Sequence, residues 1–338
     1  MERSIAKSLA FSAALGALVL AAPNQAKADA SAFSLLDITD FQLLDTGGTQ
    51  LDASDFDVIS ISNTLAATVI GGLGVDVSPG GGGPEITRAC AGSACGGIGE
   101  NVFSQIGAGE FGRADASISG SSISNTGAVP PIPTGSAATA VTVAEARIVG
   151  GGPPPGTFTN ATGSVNPVIT TFSFVPSTDM AIRIDFDARL QMQATVDAGS
   201  QPVSNATATS IFTITIVDDT NTTIFSWTPD GAAGGSDTGV AAETDAFDLN
   251  VSFTNSTAGT TAFAPGAGGL TQGASPFSVT TGILAHGTTY TATLSHTSLA
   301  EARLTQIPEP MTLLLFGAGL LGLGFFARQR QKKTDLAA

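Results

Sequence analysis

Eighteen residues, Met180 to Asp197, alternate so regularly between apolar and polar that only one secondary structure accommodates them. Met180, Ile182, Ile184, Phe186, Ala188, Leu190, Met192, Ala194 and Val196 share one parity, while Arg183, Asp185, Asp187, Arg189, Gln191, Gln193 and Asp197 share the other. An α-helix would scatter the apolar set around its circumference. A half-buried β-strand collects it on one face, so the segment predicts a long strand, bent midway. Arg and Asp alternating on the wet face predict modest ion pairs and a guard against edge pairing.

Shorter runs of the same kind recur. They are TTFSFVP around Phe172 and Phe174, SIFTITIVDD around Phe212, Ile214 and Ile216, TTIFSW ending at Trp227, and FDLNVSFTN with Leu249, Val251 and Phe253. PFSVTTGIL and TYTATLSH follow, the latter with Tyr290, Ala292 and Leu294 on one parity. Gly, Asn, Asp and Pro punctuate them. The double-sided apolar pattern of SIFTITIVDD predicts a central strand. The spacing predicts an all-β ectodomain, an antiparallel β-sandwich or jelly roll with Gly/Pro-rich loops, over residues 161–306. Residues 31–128 read as an N-terminal β-rich part with a Cys loop, containing SAFSLLDITDFQLLD and DVISISNTLAATVIGG. Residues 129–160 read as a Pro/Gly-rich connection that nonetheless holds the strand-like VTVAEARIVG. That stretch is either a linker or a set of loops within one large sandwich, and a single extended β-domain is the preferred reading. The tetrapeptide AEAR occurs at 144–147 and at 300–303, too short an echo to define a repeat.

Charge is partitioned along the chain. All four Lys (Lys7, Lys27, Lys332, Lys333) lie in the end segments, and residues 31–307 carry six Arg against 24 acidic residues, a formal charge of −18. Such a body repels phosphate backbones, so nucleic acid is excluded as a partner.

The ends read as addresses. Arg3 and Lys7 precede an apolar stretch, Ser8 to Ala22, and then two small-x-small sites that predict signal-peptidase cleavage after Ala28 or Ala30. Residues 1–30 are thus a signal peptide. Residues 307–338 hold Pro308-Glu309-Pro310, then the uncharged run Met311–Ala327, then Arg328, Arg330, Lys332 and Lys333. The prolines favour extended chain that can enter a protease cleft. The apolar run is the length of a short single transmembrane helix. The basic cluster is a cytoplasmic stop by the positive-inside rule.

Residues 308–333 resemble a PEP-CTERM sorting signal. That resemblance implies an exosortase, a membrane cysteine protease-transpeptidase of Gram-negative bacteria, as sorting partner after the Sec machinery and signal peptidase. It also implies transit through the inner membrane to the cell surface or extracellular matrix, in an exopolysaccharide or biofilm setting. Cys90, Cys95, Glu100-Asn101 and the run Arg113-Ala-Asp115-Ala loosely resemble exosortase-dependent surface proteins with an early Cys loop.

Chemistry is sparse. No G-x-S-x-G, H-E-x-x-H or G-x-x-x-x-G-K-[ST] pattern occurs, so no catalytic residue, cofactor or metal is assigned and a non-enzymatic protein is expected. Cys90 and Cys95 are the only cysteines. Four intervening residues rule out C-x-x-C redox work, and export makes a disulfide the default. His286 and His296 are the only histidines, and both are expected to be structural or exposed. Acidic clusters at Asp52/Asp55/Asp57, Asp218/Asp219 and Glu243/Asp245/Asp248 offer hard oxygens but no complete calcium loop. Trp227 is the one candidate sugar platform for a carbohydrate-binding alternative. An extracellular hydrolase, the other alternative, would need paired acids on facing loops. The expected role is a structural or adhesive matrix protein.

Overall fold

The alternating segment becomes β7, Arg183–Val196, with its apolar parity buried and its polar parity half-exposed. The structure is a computed structural model and describes residues 29–70, 85–99, 102–120, 137–149, 160–197, 204–232, 237–265 and 273–304. Among them are β1 (Asp29–Leu44), β2 (Phe56–Ile70), β3 (Glu85–Gly92), β4 (Phe111–Ser119), β5 (Ala138–Val149) and β6 (Asn160–Pro176). After β7 come β8 (Ser204–Asp218), β9 (Thr223–Trp227), β10 (Val240–Thr244), β11 (Ser252–Asn255), β12 (Gly259–Phe263), β13 (Ser275–Thr281) and β14 (Tyr290–Leu304).

The strands build two antiparallel sheets packed face to face. The first runs β10-β13-β7-β1-β5-β4-β3, with β12 also on β7. The second runs β11-β8-β14-β6-β2, with β9 also on β8. The all-β class holds. Within 129–160, Ala138–Val149 is β5, laddered between β1 and β4, in keeping with one extended β-domain rather than a linker. Two expectations change. The sandwich does not begin at 161: β1 and β2 are long strands of the two sheets, and Asp29 to Leu304 is one compact unit. Finally, β7 guards no edge. It is an interior strand with β1 on one side and β12 and β13 on the other. Its charges pair on the outer face instead, Arg183 with Asp185 at 2.5 Å and Arg189 with Asp37 at 2.8 Å.

β8 is interior, as its sequence predicts, but only one face is apolar. Ala206, Ala208, Phe212, Ile214 and Ile216 point inward, while Thr207, Thr209, Ile211, Thr213 and Thr215 point out.

The core has two ends of different composition. At one end Phe186 contacts Phe41, Phe212, Trp227 and Phe277, with ring centroids 5.2–5.9 Å apart, surrounded by Leu190, Ile184, Ile214 and Leu249. At the other end the core is almost all alanine: Ala30, Ala32, Ala144, Ala146, Ala161, Ala194, Ala206, Ala300 and Ala302. Glycine completes this end. A Cβ on Gly163 of β6 would lie 1.9 Å from the Arg113 carbonyl oxygen, and one on Gly112 of β4 would lie 2.5 Å from that of Thr162. The backbones of the two sheets therefore touch. The first residues of β1 and the last of β14 both belong to the alanine end.

Between the two ends lies a buried polar belt. Ser34 Oγ donates across the sandwich to the Thr209 carbonyl at 2.9 Å, and the Thr142 and Ser298 hydroxyls meet at 2.9 Å. His296 sits beside them, fully buried.

Candidate functional site

The sorting residues Pro308, Glu309 and Pro310, the basic residues Arg328, Arg330, Lys332 and Lys333, the apolar run Met311–Ala327 and the signal segment through Ala28 lie outside the described residues. Among the described residues, no helix is long and apolar enough to cross a membrane. Ala30 is described, and it is a core residue. It is 1 % exposed and laddered to Ile148 and Val196. Its neighbour Asp29 accepts from the Asp197 amide at 3.0 Å and pairs with Arg147 at 3.3 Å.

Trp227 does not form a sugar platform. It is completely buried on β9, tilted against Phe186 and edge-on to Phe212. Its parity explains why: Phe225 and Trp227 face inward together on a short strand whose intervening Ser226 faces out. Tyr290 is buried as well, and its hydroxyl accepts from the Ala285 amide at 2.9 Å. Neither residue offers a ring face for stacking.

The two histidines have opposite surroundings. His286 is on an exposed turn, its Nε2 3.4 Å from Asp57 and its amide donating to Asp179 at 2.7 Å. His296 is sealed between the sheets, and neither ring nitrogen has a hydrogen-bond partner. Burial drives its pKa down to about 3, so the ring is neutral.

The acidic clusters divide by role. Asp52 and Asp55 cap a short 3-10 turn, each accepting from backbone. Asp218 closes the β8–β9 turn by accepting from Thr220 and Thr222, hydrogen bonds that hold its carboxyl below the usual range. Glu243 and Asp245 face Asp230 and Asp237. Partial burial, and then the neighbouring negative charges, push Asp245 up to about 6. Among the described residues, no three acidic, histidine or cysteine side chains are placed to hold a metal ion.

Cys90 and Cys95 are joined by a disulfide with Cα atoms 5.8 Å apart. The bridge opens a loop whose described residues, 93–99 and 102–110, fold over the outer face of the first sheet. Arginine fixes it there, in an arrangement that sequence reading did not find. Arg113, 1 % exposed, binds Asp115 at 3.1 Å and Glu145 at 3.0 Å, and donates to the carbonyls of Val102 (2.6 Å) and Ser104. The Glu145 carboxylate accepts from the amides of Ile106 and Gly107 at 3.0 Å. Arg88 reaches the Ile98 carbonyl at 2.9 Å, and Arg147 the Gly107 carbonyl at 2.6 Å. The buried Arg113 and Glu145 thus each meet both an opposite charge and backbone groups of the loop, and the buried Asp115 meets Arg113, the pairing such burial requires. The signal lay in scarcity: three of the six body arginines, at 88, 113 and 147, serve this one loop.

The outer face of the second sheet is unlike that of the first. It carries hydroxyls in register. Ser62, Thr171, Thr293, Thr215 and Ser226 form one row across five strands, and Ser60, Ser173 and Thr291 begin the next. Glu301 and Arg303, paired with each other, are the charges of β14 on that face. Where this sheet ends, at β2, a cavity of about 220 Å³ opens between the sheets, lined by Ile38, Phe41, Ile61, Ile118, Phe172 and Leu294 among others.

Residues 306–331 match the family model of the PEP-CTERM protein-sorting motif. No curated protein and no solved structure matches the chain. The chain therefore carries a C-terminal signal for exosortase-dependent export and membrane-associated sorting, beginning two residues beyond the last strand.

Proposed function

We propose that the chain is a non-catalytic surface or matrix protein, sorted by an exosortase and structural or adhesive in an exopolysaccharide setting. The observation that carries this reading is the sorting motif at 306–331, set directly after β14. The disulfide fits an oxidising destination. The N-terminal signal is cut after Ala28 on this reading, because cutting after Ala30 would remove a core alanine and the Asp29 contacts that close the alanine end. Contact with a neutral polysaccharide falls to the hydroxyl rows of the second sheet rather than to Trp227. β-Branched Thr holds its hydroxyl with little rotamer freedom to lose, and the hydroxyl rows themselves carry no charge.

The test is intact-mass measurement on fractionated cells of an exosortase-bearing host. Wild-type protein should begin at Asp29 and lack the basic end. Replacing Pro308, Glu309 and Pro310 together by Ala should leave an inner-membrane precursor that keeps Arg328 to Lys333. Mature wild-type protein that retains its basic tail would overturn the sorting claim.

A further inference from the structure

Five N-x-[ST] triplets lie in the chain, at Asn160, Asn205, Asn221, Asn250 and Asn255. Such a triplet is the acceptor for transfer of an oligosaccharide to the Asn amide, and an exported protein presents it on a surface turn. The fold separates the five. Asn160 and Asn205 are half-buried strand residues, both laddered to Arg303 of β14. Asn250 uses both ends of its amide: Oδ1 accepts from the Phe212 amide at 2.9 Å, and Nδ2 donates to the Pro229 carbonyl at 3.0 Å. Asn255 is 7 % exposed, and its Nδ2 donates to the Gly259 carbonyl at 2.7 Å. Asn221 alone of the five is exposed, on the turn between β8 and β9.

That turn holds itself together with every second side chain. Asp218 Oδ1 accepts from the Thr220 amide at 2.9 Å, the Thr220 hydroxyl at 2.6 Å and the Thr222 amide at 2.9 Å, and the Thr220 and Thr222 hydroxyls meet at 2.9 Å. Backbone bonds close the hairpin, from the Asp218 amide to the Thr222 carbonyl and from the Asn221 amide to the Asp218 carbonyl, both at 3.0 Å. Residues 218, 220 and 222 are thereby consumed. Asp219, Asn221 and Thr223 are exposed, and their side chains make no hydrogen bond among the described residues. Asn221 has a φ of 59°, in the left-handed region that Asn tolerates. This conformation accounts for Asn at 221, as it would for Gly. It does not account for a Thr two residues on, whose hydroxyl the turn does not use.

We infer that Asn221 is an acceptor for Asn-linked glycosylation, the donor being an oligosaccharide carried on a polyprenyl diphosphate. In the transfer, Asn221 Nδ2 forms a bond to the anomeric carbon of the first sugar, and the bond from that carbon to the diphosphate oxygen breaks. The polyprenyl diphosphate leaves as an anion, and the nitrogen loses one proton. No oxidant or reductant is required. Substituting this nitrogen removes no side-chain hydrogen bond from the turn, whereas at Asn250 or Asn255 it would break one. The Asp219 carboxylate and the Thr223 hydroxyl, two residues to either side, are the groups by which a transferase would hold the turn. The inference needs export, which the sorting motif supplies, and otherwise goes beyond the sorting reading.

The test incubates the full chain, purified in mild detergent, with a bacterial Asn-oligosaccharyltransferase and a polyprenyl-diphosphate oligosaccharide. Digestion on the N-terminal side of aspartates releases Asp219–Pro229, which holds Asn221 and none of the other four. By mass spectrometry that peptide should gain the oligosaccharide, and the peptides holding Asn160, Asn205, Asn250 and Asn255 should not. Asn221→Gly keeps a residue suited to the left-handed position, so it should melt as wild type does and yet lose the modification. Thr223→Ala should lose it as well, and Thr223→Ser should keep it. The same peptide should carry a glycan in mature protein from an exporting host that has both an exosortase and such a transferase. An unmodified Asp219–Pro229 peptide overturns the inference. So does transfer that persists in Thr223→Ala, or transfer to Asn160 and Asn205 equal to that at Asn221. None of these outcomes bears on the sorting reading, which is decided by the mass of the C-terminus.

Discussion

The two ends of the sandwich solve one packing problem in opposite ways. At the aromatic end, Phe41, Phe186, Phe212, Trp227 and Phe277 hold the sheets apart and fill the gap with rings. At the alanine end the sheets close until the backbones of β4 and β6 touch, and nine alanines and two glycines, with Ile148 and Val196, fill what is left. The first end draws its stability from apolar area, roughly 25 cal/mol for each Å² removed from water. The second buries little side chain and depends on shape, because close-packed backbone has no slack. The two ends should therefore fail differently. Loss of bulk should be graded at the aromatic end, while gain of a single methyl should be disabling at the alanine end.

Gly163→Ala is the sharpest form of that contrast. Its Cβ would sit 1.9 Å from the Arg113 carbonyl oxygen and 2.9 Å from that of Glu145, both backbone atoms of the facing sheet. The expected loss is on the order of 5 kcal/mol or more, seen as failure to accumulate folded protein. A soluble variant with wild-type melting would show that the sheets do not touch there. Phe186→Ala should cost about 3–5 kcal/mol, read from a denaturant midpoint shifted at unchanged slope. The protein should still fold, since the alanine end is untouched.

The smallest effect concerns the belt between the two ends. His296 is neutral and buried, with its folded pKa near 3 against 6.5 in the unfolded chain. Below pH 6.5 the unfolded state therefore binds a proton that the folded state refuses. Stability should fall as pH falls from 6.5 toward 3, by about 1.4 kcal/mol per pH unit from this group. Asp245 acts in the opposite sense. Its raised carboxyl pKa, near 6, makes stability decline as pH rises from about 4 to 6. The comparison that isolates His296 is the pH slope of wild type minus that of His296→Leu. The variant should be close to wild type at pH 7.5 and gain on it progressively toward pH 4.5. Parallel slopes would mean that the ring is not sealed.

The legible parts of the fold were those in which burial and alternation coincide. β7 reads plainly because Ile, Phe, Leu and Met mark one parity and Arg, Asp and Gln the other. β5 was obscured because its inward residues at the alanine end are Ala144 and Ala146, which carry little hydrophobic contrast and low strand propensity. Proline and glycine on both sides then suggested a connection. The twice-occurring AEAR was a clue of another kind. Ala144/Ala146 and Ala300/Ala302 face one another from opposite sheets, and the Glu and Arg of each copy point outward. The echo marks one structural environment used twice. Trp227 was misread because its being the sole tryptophan drew notice before its parity with Phe225 did. The Arg113 network joins residues up to 40 positions apart, and sequence spacing holds no record of such a meeting. The sorting motif was readable because its parts are contiguous, so no folding is needed to bring them together.

The arginines have a further consequence. With no lysine in residues 31–307, the body offers trypsin-like proteases only six bonds. All six arginines lie in strands: Arg88 in β3, Arg113 in β4, Arg147 in β5, Arg183 and Arg189 in β7, and Arg303 in β14. A serine protease needs a run of extended chain free of partners, and a laddered strand supplies none until it opens. Four of these sites are interior to their strands or held by the loop network, and Arg183, the first residue of β7, is laddered on both sides, to Leu44 and Thr280, so cutting at these five reports unfolding of whole sheet regions rather than fraying. Arg303 is the exception, exposed and one residue from the end of its strand. For an exported protein, digestion of the body by such enzymes is reduced to cutting at Arg303, near the end of β14.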